Sequence, residues 1–303
     1  MYLCIMKTIY FLLVTILFCG CQTIKSGFVL TADGGRIYYE ECGKGEPIIF
    51  LHGHSLDCRM WDEQFKPFSK KYRTIRMDFR GYGRSSEQRE DLQFTHVDDV
   101  IALMDSFHIQ KAHVIGLSMG AFVAGDMLAI YPERLLTCTM ASAGIRNCKG
   151  PSEPMDSAES AKRDREIEAL KQKGIDTMKK EWIEQLLSSG GSHRERMRKP
   201  LTQMIQDWSA WQPLHKEVRL FYGKEAWAKL RERGTLDIPV LLIRGENEHK
   251  TKHTNPNEMR YLSNASFVVI DDCGHMLNME RPTTFNQAVL QFLSDKKQFF
   301  TSY

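Results

Sequence analysis

Val114-Ile115-Gly116-Leu117-Ser118-Met119-Gly120 is the stretch that decides the fold. It joins an apolar segment, Ala112-His113-Val114-Ile115, to a run of small apolar residues reaching from Met119 to about Tyr131. The first reads as a buried strand and the second as a helix. Between them stands the pattern G-x-S-x-G. A serine at such a junction must occupy a sharp, strained turn, and the flanking glycines let backbones pass closely. Its hydroxyl then stands clear of the sheet at a helix N-terminus, where partial positive charge favours a developing anion. The bare pattern is common in coil. Its position between strand and helix makes Ser118 a candidate nucleophile.

The same alternation extends outward. Phe28-Val29-Leu30 and Arg36-Ile37-Tyr38-Tyr39-Glu40 flank Ala32-Asp33-Gly34-Gly35, a hairpin with a glycine turn. Pro47-Ile48-Ile49-Phe50-Leu51 is a continuous apolar run, as expected of a strand buried on both faces of a parallel sheet. Arg73-Thr74-Ile75-Arg76-Met77 predicts another strand, and Val97, Val100, Ile101 and Met104 recur at helical spacing. Strands resume at Ile238-Pro239-Val240-Leu241-Leu242-Ile243 and Phe267-Val268-Val269-Ile270, and a last helix carries Phe285, Val289, Leu290 and Leu293. Strands alternating with helices imply an α/β fold with a doubly wound, mostly parallel sheet.

One stretch breaks the pattern. From about Ile145 to Leu236 the chain is polar and helix-favouring, with Ser157 to Lys173 and Thr177 to Leu187 as predicted helices and four of the five tryptophans. It reads as a helical cap, residues 145–236, inserted into a core domain made of residues 21–144 and 237–303. Trp182, Trp208, Trp211, Met178 and Met204 are either an acyl pocket or the cap's own core, the default for apolar residues at helical spacing.

Taken in order, His52-Gly53 after an apolar strand, Asp78-x-Arg80-Gly81-x-Gly83-x-Ser85 after the next, the Ser118 elbow, and Gly274-His275 followed by Glu280-x-Pro282 resemble the α/β-hydrolase superfamily, in its serine esterase and lactonase branch. The resemblance runs from Gly27 to the last helix. It implies a triad in the chain order nucleophile, acid, histidine. His275, in the loop after the last of these strands, is then the general base. The superfamily's acid lies in the loop after the strand that follows the cap, usually an Asp three residues past a glycine. Here that glycine is Gly245 and the third residue on is Glu248, a departure from Asp. Glu246, Asp271 and Asp272 are the competing carboxylates. The elbow supplies the backbone N–H of Met119 to an oxyanion hole, and the superfamily pattern adds the N–H of His54. Asp78, Arg80 and Ser85 are expected to be structural.

The resemblance implies a hydrolase that cleaves a carboxylic ester or lactone through an acyl-enzyme, since a serine rather than an aspartate stands at the elbow. A C–C hydrolase, thioesterase or perhydrolase is the alternative on the same fold, and an inactive binding module the alternative of another class. No cofactor is expected. His52-Gly53-His54-Ser55-Leu56-Asp57 resembles a zinc signature, but Asp57 falls one position late and no metal is expected. His193-Arg194-Glu195-Arg196-Met197-Arg198 reads as a solvated face rather than an anion clamp.

Composition sets the remaining bounds. A 303-residue chain that is 42% hydrophobic can bury one large core, and a net charge of +3 does not suggest nucleic acid as a partner. The partner expected is a small-molecule ester or lactone. Lys7, the apolar run Ile9 to Phe18 and Gly20-Cys21 have the layout of an export signal over residues 1–20, too short for the ~20 apolar residues of a membrane span. Met6-Lys7 would serve as a start as well as Met1. Phe18-Cys19-Gly20-Cys21 resembles a bacterial lipoprotein site, although Phe18 departs from its usual Leu; Cys21 would carry the lipid and be the only contact with a membrane. Eight cysteines less Cys4, Cys19 and Cys21 leave Cys42, Cys58, Cys138, Cys148 and Cys273, an odd set without metal-type spacing.

Overall fold

In the computed structural model, residues 23–302 are described apart from 147, 154, 217–219, 251–258 and 296–299. The expected export segment and Cys21 lie outside the described residues. Nine strands form one sheet: β1 Lys25–Leu30, β2 Arg36–Cys42, β3 Pro47–Leu51, β4 Arg73–Met77, β5 Ala112–Leu117, β6 Leu135–Ala141, β7 Val240–Gly245, β8 Ala265–Ile270 and β9 Phe300–Ser302. Their spatial order is β1-β2-β4-β3-β5-β6-β7-β8-β9. The pairs β1–β2 and β2–β4 are antiparallel, and every later pair is parallel. The chain therefore starts at the antiparallel edge, enters the parallel part at β3, steps outward to β4, then returns past β3 to β5 and winds on to the other edge, as a doubly wound sheet does.

Helices α1 Asp62–Ser69, α2 His96–Ser106 and α3 Met119–Ile130 follow β3, β4 and β5; α4 Ser157–Lys173, α5 Ile175–Ser188, α6 Glu195–Asp207, α7 Trp211–Leu214 and α8 Lys224–Arg233 separate β6 from β7; α9 Leu277–Glu280 and α10 Pro282–Asp295 follow β8. One core lies on the α2/α3 face, with Ile49, Met77, Val114, Val123, Leu128 and Leu242 all essentially inaccessible. The other lies against α1 and α10, with Ile48, Phe50, Trp61, Phe68, Phe285 and Phe292. Each fully buried Leu, Ile or Phe contributes on the order of 1.5–3 kcal/mol, so both faces are needed to hold the sheet.

The helical insertion behaves differently. None of the residues of α4 is buried, and its start is fixed by a capping box in which Asp156 accepts from Glu159 N while the Glu159 carboxylate accepts from Asp156 N. Burial grows toward the sheet: Leu186 and Leu187 of α5 and Met204 and Ile205 of α6 join the second core. β6 is not evident from the sequence. Its residues Leu135-Leu136-Thr137-Cys138-Thr139-Met140-Ala141 mix hydroxyls and a thiol with apolar side chains, yet Thr137 and Thr139 are as buried as their neighbours.

Candidate active site

β5 enters the elbow with all six residues buried, and Ser118 turns the chain at φ 55°, ψ −113° into the first turn of α3. A positive φ at a non-glycine residue costs on the order of 1–3 kcal/mol, and the surrounding packing must hold it. The flanking glycines are forced. A Cβ on Gly116 would come within 2.1 Å of Gly120 O, and one on Gly120 within 2.1 Å of Leu51 O. The elbow is also tied sideways, because Ser118 N donates to Ala141 O at the end of β6 (2.9 Å).

The structure brings Ser118, His275 and Glu248 together. His275 Nε2 lies 2.9 Å from Ser118 Oγ, and His275 Nδ1 lies 2.6 Å from Glu248 Oε1. The other carboxylate oxygen, Oε2, accepts from Ser142 Oγ at 2.8 Å and from Gly245 N at 3.1 Å. Glu248 is 4% exposed. Burial pushes its carboxyl upward, but the hydrogen bond and charge of His275, then Ser142 and Gly245 N, outweigh this and hold it below the usual carboxylate range. It is therefore an ionised acceptor facing the Nδ1 side of the ring.

Two of the three competing carboxylates, Glu246 and Asp272, are occupied otherwise. The exposed Glu246 accepts from Asp272 N at 3.0 Å, and Asp272 accepts from Ser192 N at 2.9 Å as well as from the Ser192 hydroxyl. Neither is bonded to His275.

Two further groups, to which the sequence assigns no role, fix the histidine loop. Ser142, one residue past β6 at φ 56°, donates to both Glu248 and His275 O through the two arms of a shared hydroxyl contact, each 2.8 Å. Glu280 is wholly buried; its Oε2 accepts from Gly274 N at 2.8 Å and its Oε1 from Gly191 N of the insertion at 2.6 Å. The Glu280-x-Pro282 motif signals the second; nothing in the sequence signals the first, because it depends on recognising β6.

His54 stands beside the elbow. A Cβ on the preceding Gly53 would lie 3.7 Å from Ser118 Cβ. Among the described residues no acceptor takes the N–H of His54 or of Met119. The His54 ring meets Tyr82 OH at 2.7 Å and packs edge-on against Trp182 and Trp208 of the insertion. Burial, then the charges of Arg146 and His52, push its pKa down to about 4, so the ring is neutral at pH 7. Trp182 Nε1 donates to Ser55 Oγ at 2.7 Å, Met204 is in the core, and Trp211 stacks on His215.

The expected structural loop is structural. Asp78 accepts from Cys58 N (2.8 Å) and Arg84 N (2.9 Å), Ser85 Oγ donates to Asp78 O (2.6 Å), and Arg80 pairs with Asp33 and Asp99. His52, the other histidine of the zinc-like stretch, accepts from Phe79 N at 2.9 Å. Cys42, Cys58, Cys138 and Cys273 are buried, and Cys148 is half-buried.

A mostly parallel, doubly wound sheet with a serine on its central elbow, and a carboxylate and a histidine on the two strand ends that follow the insertion, defines an α/β-hydrolase architecture. The family model for the alpha/beta hydrolase fold matches residues 46–282, and the chain belongs to that family. It is 24% identical to the AB hydrolase superfamily protein YisY of Bacillus subtilis, over 88% of this chain and 98% of that one. It is 26% identical to the 2-hydroxy-6-oxononadienedioate/2-hydroxy-6-oxononatrienedioate hydrolase of Paraburkholderia phymatum, over 90% and 96%. Among solved structures it resembles a malate-bound thermophilic esterase from Thermogutta terrifontis, with 25% identity, 89% and 98% coverage and a TM-score of 0.68.

Proposed function

We propose that the protein is a serine hydrolase that cleaves a carboxylic ester or lactone through an acyl-enzyme on Ser118. The observation that carries this is the unbroken chain from Ser118 Oγ through His275 to an ionised, buried Glu248. In this mechanism His275 takes the Ser118 proton as the hydroxyl attacks the carbonyl carbon, and Glu248 stabilises the imidazolium that forms. The N–H groups of Met119 and His54 receive the oxyanion, each worth typically ~2.7–4 kcal/mol of barrier. His275 then returns the proton to the leaving oxygen, and water repeats the sequence on the acyl-enzyme. A neutral His54 ring beside these donors adds no proton of its own to the exchange.

A C–C hydrolase is the second reading, favoured by the similarity to the Paraburkholderia enzyme named for such a substrate class. One panel separates the two: p-nitrophenyl esters, lactones, thioesters and a vinylogous 1,5-diketone, each assayed with the same preparation. Turnover of the esters or lactones with kcat/KM far above that for the diketone supports the ester reading, and the reverse order overturns it.

The sequence layout of residues 1–21 supports an exported protein, lipidated at Cys21 and facing the periplasm or cell exterior. No helix among the described residues is long and apolar enough to cross a membrane. Residues 21–144 and 237–303 as core and 145–236 as cap are the domain division that fits the break in burial at the insertion.

A further inference from the structure

Three large apolar side chains are exposed among the described residues: Ile24 at 40%, Phe28 at 47% and Leu30 at 71%. All three belong to β1 or the residue before it. Side chains alternate along a strand, so these three share one face, and Val29, on the other, is 4% exposed. α2 packs against β1 on the Val29 side. On the opposite side the neighbours come from β2: Tyr38 meets the Phe28 ring edge-on at 5.5 Å, and Arg36 Cζ lies 4.9 Å from its centroid. The result is an apolar and aromatic strip on the edge strand, bordered by exposed Arg36, which pairs with Leu30 across β1 and β2. Scattered exposed apolar residues need no explanation, but a strip holding all of them marks a contact surface.

The position of the strip in the chain selects its occupant. Ile24 follows Cys21 by three positions. An extended chain spans at most ~3.3–3.6 Å per residue, so Ile24 lies within about 11 Å of Cys21. The headgroup layer on each side of a bilayer is itself some 5–8 Å thick. A lipid on Cys21 therefore leaves no tether long enough to hold the start of β1 clear of the membrane. Resting on that lipidation, and going beyond the hydrolase reading, we propose that β1 seats on the phospholipid bilayer. Ile24, Phe28 and Leu30 enter the boundary between headgroups and acyl chains, and Arg36 lies among anionic headgroups. An aromatic ring with a neighbouring arginine suits that boundary, where one side is apolar and the other wet. The same contact covers the outer edge of β1, which among the described residues pairs only with β2 and would otherwise invite pairing with another chain. Three strands separate β1 from β5, which places the elbow of Ser118 about 20 Å from the seated edge and leaves its approach open.

The full chain, lipidated and reconstituted in phosphatidylethanolamine–phosphatidylglycerol vesicles, tests this. An environment-sensitive nitrobenzoxadiazole label is placed at Leu30→Cys, or at Phe28→Cys if that variant does not fold, in a Cys148→Ser background that leaves only buried thiols among the described residues. A control label goes on exposed Lys180→Cys of α5. The expected result is blue-shifted emission at position 30, quenching by shallow nitroxide lipids and several-fold less quenching by aqueous iodide than at position 180. Equal iodide quenching at both positions overturns the proposal. So does protection that scales with protein density in the vesicle, which means a second copy, or protection that survives without lipid, which means residues of the chain itself. Failure of the protein to join the vesicles also overturns it. Ester hydrolysis measured on the same samples reports separately on the Ser118 chemistry.

Discussion

Ser118 is held in a backbone conformation that costs on the order of 1–3 kcal/mol, and Glu248 is an ionised carboxylate kept 4% exposed. Both are expensive for the fold, and both are aimed at one imidazole. The carboxylate fixes which ring nitrogen carries the proton, so its loss should act on the rate of chemistry. Glu248→Gln is expected to lower kcat by roughly 10³–10⁴ with little change in KM, whereas Glu246→Gln stays within about tenfold, as steady-state kinetics on one activated ester will read. The reverse ranking would mean that the loop register is wrong. Ser142→Ala removes one hydroxyl from Glu248 Oε2 without changing the backbone demand at φ 56°, since alanine and serine pay alike there. A hydrogen bond to a charged group contributes about 1.5–3 kcal/mol to stability, so the Tm should fall by several degrees, and kcat should fall by up to about tenfold as Glu248 loses part of its support. Ser118, His275 and Glu248 were legible because each follows a recognisable strand at a fixed offset. Ser142 was not, because its position means nothing until β6 is known.

At the scale of elements, the loss of β6 from the sequence pattern has a physical cause. Thr137 and Thr139 are buried because a strand in the middle of a parallel sheet has both faces covered, and His113 Nδ1 contacts Thr137 Oγ1 at 2.9 Å. A hydrophobicity pattern discounts a hydroxyl such as Thr137 Oγ1, which finds its partner only in the folded sheet; Thr139 Oγ1 is buried with no partner among the described residues. α3 shows the converse. Its residues are apolar all round, which fits a helix buried on nearly every side, and it carries one buried acid, Asp126, that accepts from Tyr222 N at 2.7 Å ahead of α8. Burial pushes the Asp126 carboxyl up to about 7, against the pull of the Tyr222 and Gly223 N–H groups. In the unfolded chain the group ionises near 3.9. Between about pH 4 and 7 the folded state thus binds more protons than the unfolded state, and stability falls as pH rises through that window. Asp126→Asn keeps an acceptor for Tyr222 N and removes the titration. The variant should gain on the wild type by on the order of a few kcal/mol between pH 4 and pH 8, followed as the difference in chemical-denaturation midpoints. A constant difference across that range would show that Asp126 does not retain its proton on folding.

The molecule as a whole divides its work between a sheet that fixes Ser118, Glu248 and His275 and an insertion whose Trp182 and Trp208 reach His54 above them. The change of character at residue 145 marks in the sequence where the expected cap begins, but the contacts between the insertion and the sheet are not legible there. Trp182 reads by default as the insertion's own core, and only the structure shows its N–H donating to Ser55 beside His54. The proposed leader is a separate matter of location. Cys21→Ser should move the protein from the membrane fraction to the soluble fraction and stop incorporation of labelled palmitate, because a multiply acylated cysteine anchors firmly and its loss leaves no comparable hold. Unchanged partition would argue for an uncleaved leader instead. The central claim is that Ser118 becomes covalently acylated, and mass spectrometry after treatment with a fluorophosphonate tests it most directly. The account predicts one adduct per chain, on the peptide that contains Ser118, lost together with ester hydrolysis in Ser118→Ala. An adduct on another residue, or hydrolysis that persists in Ser118→Ala at an unchanged KM, would contradict it.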